Sequence, residues 1–170
     1  MDADENQEFL IEGPMGKGLD LSAENISGNN IIFLGGTGVL PFVDLFAYFA
    51  RMLINEKSPG DNIQEGEEFD KSMQNASFTV FAYYPRESEG VALELCTKIS
   101  ELYEHFGMEE KFKFSPVFTR EGGTRLTKDS IYEVLNPCNI SNNLKNVWVC
   151  GPPPMNNMFQ RLRKELQKEY

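Results

Sequence analysis

Cysteine is scarce in this chain. Three residues, Cys96, Cys138 and Cys150, are spread over 170 positions, and no Cys-x-x-Cys pair occurs among them. An odd number at such spacing does not make a disulfide framework, and with a single histidine, His105, it does not supply a tetrahedral zinc site. Reduced thiols in an intracellular compartment fit the count. Basic residues are also in short supply: 16 Lys and Arg stand against 26 Asp and Glu, a formal charge of −10. Nucleic acid and anionic membrane would meet long-range repulsion, so neither is expected as a partner. A small phosphate-bearing ligand stays open, because helix N-termini and a few arginines bind one locally. A secretory leader is not expected, since "MDADENQEF" is acidic where a leader is basic. The longest apolar stretch, 39–54, contains Asp44 and Arg51. It falls short of the ~20 residues that cross a bilayer and is expected to be a buried helix.

What the chain has is apolar periodicity. Hydrophobic residues make up 41% of it, enough for one domain with a proper core. "IIFL" (31–34) is continuously apolar, the pattern of a strand buried on both faces. A helix over 39–54 follows, with Phe42, Leu45, Phe46, Phe49 and Leu53 on one side; its phenylalanines read as core. Further strands are expected at 77–84, 113–119 and 146–150. Helices are expected at 89–106, from a cap at Thr127 or Asp129 to a stop before Pro137, and at 154–169. His105 falls on an exposed part of the second helix. The polar, acidic stretch 55–76 reads as an exposed insertion loop, and 1–21 as a tail and connector turning at Gly13, Pro14, Gly16 and Gly18. Strands alternating with helices predict an α/β, Rossmann-like three-layer domain over 22–170, with a parallel sheet flanked by helices.

In such a sheet ligands gather beyond the carboxyl ends of the strands. Two loops qualify. Gly35-Gly36-Thr37-Gly38 links the first strand to its helix, where glycines allow close approach to a pyrophosphate and Pro41 suits a first helical turn. Cys150-Gly151-Pro152-Pro153-Pro154-Met155 follows the last strand, and its prolines read as a rigid, extended wall beside a ligand. The plainer readings compete: glycines that serve packing alone, prolines that merely stop a strand and start a helix, and a structural Cys150.

Taken in order, "GPMGKGL" (13–19), "GGTGVLP" (35–41) and "CGPPPM" (150–155) resemble the ferredoxin–NADP reductase family, closest to its NADH–cytochrome, nitrate and ferric reductases. The resemblance runs from about Phe9 to the end. It implies a nicotinamide-binding domain in which Gly35, Gly36, Thr37 and Gly38 hold the pyrophosphate and nearby nicotinamide. Cys150, Gly151, Pro152 and Pro153 would line the nicotinamide pocket, with Met155 starting the next helix against it. Cys150, the residue assigned to the chemical step, would place the ring for hydride departure toward a flavin and is not a nucleophile. Over strands two and three, Thr119, Arg120 and Arg125 look more like the pattern of NADPH-using members than the acidic residue of NADH-using ones. The expected cofactor is therefore NADPH or NADH, tipped toward NADPH.

The resemblance also departs from the family. With about a dozen residues ahead of Gly13, no flavin barrel with its Arg-x-Tyr-Ser/Thr motif is expected in this sequence, and the family's closing strand is not expected after the last helix. The chain is accordingly expected to be the nicotinamide-binding half of a larger flavoprotein. FAD would sit on a separate domain of the parent, and electrons would pass on to haem, iron or a similar acceptor. Its expected place is the cytoplasm, or the cytosolic side of a membrane if the parent is anchored, with no membrane contact of its own. A methyltransferase-like enzyme and a non-catalytic Rossmann-like module are the alternatives. A short-chain dehydrogenase is set aside, since no tyrosine has a lysine four residues later.

Overall fold

The computed structural model describes residues 18–57, 68–140 and 143–169. Its elements are α1 (Ala23–Ile26), β1 (Gly28–Gly35), a 3-10 turn (Gly36–Phe42), α2 (Val43–Lys57), α3 (Glu68–Gln74), β2 (Ala76–Tyr84), α4 (Leu93–His105), β3 (Phe112–Phe118), α5 (Lys128–Ile140), β4 (Leu144–Cys150) and α6 (Pro153–Glu169). All four strands are parallel, in the order β3-β2-β1-β4. This is the predicted α/β architecture with helices on both faces of a parallel sheet.

Aromatic residues set the two layers. On one face Phe46 meets Phe112 edge-on at 5.2 Å, and Phe49 meets Phe78 at 4.9 Å. Tyr103 of α4 stacks on Phe49 and donates its hydroxyl to the Phe49 carbonyl at 2.9 Å, tying α4 to α2. The phenol is pushed well above its ordinary range by burial. Together, 36–57 are long and apolar enough to cross a membrane by composition, but Phe42, Phe46, Phe49 and Leu53 lie buried in the core. On the other face Phe33 packs against Phe81 and Phe159, and α5 and α6 cover it through Ile131, Met155 and Leu162.

Several expectations are corrected. The first strand begins at Gly28, not Ile31, because Asn30 is consumed by the fold. Buried at 1% exposure, it donates to the Ile26 and Gly28 carbonyls (both 2.9 Å), and its Oδ1 accepts from Asn146 at 2.8 Å. A polar triplet that reads as a turn is instead a satisfied buried network joining α1, β1 and β4. Replacing Asn30 with leucine should orphan those partners. Chemical denaturation is expected to show a loss of about 3 kcal/mol, on the order of one to two stranded buried groups. The 55–76 stretch is not wholly an exposed loop: α2 runs to Lys57, and α3 buries Met73 completely in the core. The helix expected to stop before Pro137 continues to Ile140, since a proline there removes only one intrahelical bond from a turn near the helix end. Residues 1–17 of the expected connector lie outside the described residues.

Candidate functional site

The topology creates one switch point. From β1 the chain moves outward through β2 to β3 with helices on one face, then returns through α5 to place β4 on the other side of β1. The carboxyl ends of β1 and β4 are level, with Leu34 paired to Cys150. The loops following them therefore diverge over a shared crevice, the place where open parallel sheets bind ligands. A cavity of about 1040 Å³ lies there.

Glycine makes the crevice possible. A Cβ on Gly38 would fall 2.0 Å from the Cys150 carbonyl oxygen, and one on Gly35 would fall 2.6 Å from Pro152 Cδ. The two loops thus touch backbone to backbone, which is the packing role weighed above. Gly36 differs: at φ +56° it occupies the left-handed region, and a Cβ there would meet nothing within 4 Å. It makes the turn and leaves room at the cavity wall.

The prolines also divide their work. Only Pro152 precedes the last helix; Pro153 and Pro154 are its first two residues, so the expected extended wall is a helical first turn. Proline is at home there, since it lacks the N–H that a first turn leaves unpaired. The next two amides, of Met155 and Asn156, donate to the Pro152 carbonyl at 3.0 and 3.2 Å. This helix start therefore offers an anion no free amide in its first four residues, and it presents an apolar wall.

The other end of the cavity is built by β2 and β3. Thr119 donates both its amide (2.9 Å) and its hydroxyl (3.2 Å) to the Tyr84 carbonyl, and the Arg120 amide donates to the Pro85 carbonyl at 2.9 Å. These bonds lock the two loops together. Glu121 is turned away, its Oε2 accepting from the Glu87 amide at 3.1 Å. Arg120 and Arg125 line the cavity; both are exposed, and among the described residues neither guanidinium has an ion-pair partner.

Of the residues singled out in the sequence, Gly35, Gly36, Thr37, Gly38, Pro41, Thr119, Arg120, Arg125, Cys150, Gly151, Pro152 and Met155 all line this one cavity. Pro153 does not; Pro154 lines it instead. Sequence reasoning also passed over Tyr83, Leu126 and Met158. The strand-end position of Tyr83, and the one-turn spacing of Met158 from Met155, are signals that would have found two of them. Burial raises the Tyr83 phenol above its ordinary value. Cys150 is partly accessible, whereas Cys96 is buried in the core, its thiol pushed up to about 11 by desolvation, and takes no part in the site. His105 is exposed at the end of α4 against Phe106 and does not line the cavity.

No family model matches the sequence, and no curated protein matches it. Among solved structures, the chain is similar to a single-site variant of ferredoxin–NADP+ reductase from Plasmodium falciparum in complex with 2′P-AMP: TM-score 0.53, 20% identity, covering 88% of this chain and 53% of that one. The same reductase in another structure gives 0.49 and 18%, covering 91% and 54%. The cytochrome b5 reductase domain of Ulva prolifera nitrate reductase gives 0.43 and 14%, covering 76% and 40%. At these identities the likeness establishes the fold, and it rests on the first of the three. The chain spans about half the length of that reductase.

Proposed function

We propose that the chain is the NAD(P)H-binding domain of a flavin-dependent oxidoreductase of the ferredoxin–NADP reductase family. One observation carries the reading. In a chain of net charge −10, the only charged residues lining the switch-point cavity, among the described residues, are the two arginines at its β3 end. The cavity is thus anion-selective at one end and apolar at the other. From β4 to β3 it crosses three strand spacings, roughly 14 Å, which suits an extended dinucleotide.

The donor set fits such a ligand. The amides of the Gly36–Gly38 turn begin the 3-10 turn that leads into α2 and face the pyrophosphate. Arg120 and Arg125 face the adenosine end, where a guanidinium suits a 2′-phosphate better than a bare hydroxyl. The similar reductase is known in complex with 2′P-AMP, a nucleotide that carries such a phosphate. The amide-free wall of Pro152, Pro154 and Met155, with Cys150 beside it, receives the uncharged reduced ring. NAD(P)H, when bound, supplies a hydride; this chain's part is to fix the ring's face and keep the wall rigid. The acceptor is FAD on a separate domain of the parent protein, from which electrons pass to haem, iron or a similar centre.

Calorimetric titration tests the reading. NADPH and adenosine 2′,5′-bisphosphate are expected to bind one site and compete, with little NADPH oxidation until a flavoprotein is added. Absence of heat with NADPH, NADH and the bisphosphate alike would exclude the dinucleotide. Full diaphorase turnover by the chain alone would remove the flavin from a separate domain.

A further inference from the structure

We infer that Asn156, which belongs to neither loop motif, is a positioning residue for the Gly151–Pro152 peptide and hence for the nicotinamide end of the ligand; this rests on the dinucleotide reading above. A peptide bond leading into proline has no N–H, so the Gly151 carbonyl is the only polar handle by which that peptide can be held. Asn156 supplies the donor: its Nδ2 lies 2.8 Å from the Gly151 oxygen. The anchored residue sits at a tight part of the wall. A Cβ on Gly151 would lie 2.5 Å from Met155 Sδ and 3.2 Å from the Gly35 nitrogen. Turning that peptide would move Pro152 along the cavity and open the seam with Gly35.

The other end of the same side chain shows that folding is not what the amide is for. With its nitrogen necessarily toward a carbonyl, the Asn156 Oδ1 points the opposite way. It is buried there with no hydrogen-bond partner among the described residues. Asn156 also lines a groove of about 710 Å³ with Val149, Phe159, Gln160 and Arg163, yet none of them supplies its Oδ1 with a hydrogen bond. A leucine would remove that orphaned acceptor and leave the part-buried Gly151 carbonyl without its donor, so the two changes offset in stability. The asparagine thus gives up stability at one end to hold the loop at the other.

The test uses Asn156→Leu in the full chain, with thermal unfolding and calorimetry. The melting temperature is expected to stay level or rise. Affinity for adenosine 2′,5′-bisphosphate, which carries only the far end of the ligand, should not change. Affinity for NADPH should fall about tenfold, the worth of one hydrogen bond. Gln160→Leu, one turn on in the same groove, should alter none of the three. A lowered melting temperature or failure to fold would make Asn156 a structural residue, and an equal loss of both ligands or an unchanged NADPH affinity would likewise overturn the inference. If the unmodified chain binds neither nucleotide, the dinucleotide reading itself fails and takes this inference with it.

Discussion

Gly38→Ala is expected to be the most damaging single-atom change in this chain. The added methyl would sit 2.0 Å from the Cys150 oxygen and 2.6 Å from its carbonyl carbon. Neither is the end of a flexible side chain. The Cys150 backbone is fixed by its pairing with Leu34, and Gly38 is itself buried in the 3-10 turn that leads into α2. Relief therefore requires β4 or the turn to shift, and the same movement widens the crevice. Denaturant unfolding should show a loss of about 3 kcal/mol, the upper range for overpacking a rigid site, and calorimetry should find no NADPH binding. Gly36→Ala provides the contrast. Its penalty is the left-handed backbone alone, about 1–2 kcal/mol, because open space surrounds the added atom. Equal and mild effects of the two changes would show that the loops are not pressed together as described.

That contrast explains how much of the site was readable in the sequence. A Gly-Gly-Thr-Gly run after an apolar strand locates a turn and permits a close approach, but it does not say what approaches. The structure divides the run: Gly35 and Gly38 admit the partner loop, and Gly36 faces the cavity. The partner lies more than a hundred residues away, and only the strand order brings it near. The strands themselves were legible because apolar runs bounded by polar residues have few other uses. Their ends were not. Gly28-Asn29-Asn30 carries the composition of a turn, and the network that buries Asn30 is closed by Asn146, more than a hundred residues on and not visible as a neighbour along the chain. The helix inside the acidic stretch is hidden for a similar reason, its core anchor among the described residues being Met73. Of the three prolines, Pro152 and Pro154 line the cavity and Pro153 does not, and the run does not share one extended conformation, since proline's fixed φ suits an extended segment and a first helical turn equally.

Arg120→Ala is expected to change which cofactor the chain prefers. A charge-assisted hydrogen bond to a phosphate contributes about 1.5–3 kcal/mol, or roughly tenfold to a hundredfold in affinity. Because Arg120 is exposed, screening should hold the effect toward the lower end at physiological salt and enlarge it as salt is lowered. The loss should appear for NADPH and adenosine 2′,5′-bisphosphate and be absent for NADH, since the arginine's contribution is to the 2′-phosphate alone. Arg125→Ala should act in the same direction, and the double change should abolish discrimination. Backbone geometry at the position should survive, because the bonds that fix it are made by the Arg120 amide to Pro85 and by Thr119 to Tyr84, not by the guanidinium. The affinity ratio for the two cofactors is therefore the decisive measurement. If it is unchanged in Arg120→Ala, the two unpaired arginines do not read the phosphate, and the preference for NADPH falls while the dinucleotide site itself stands.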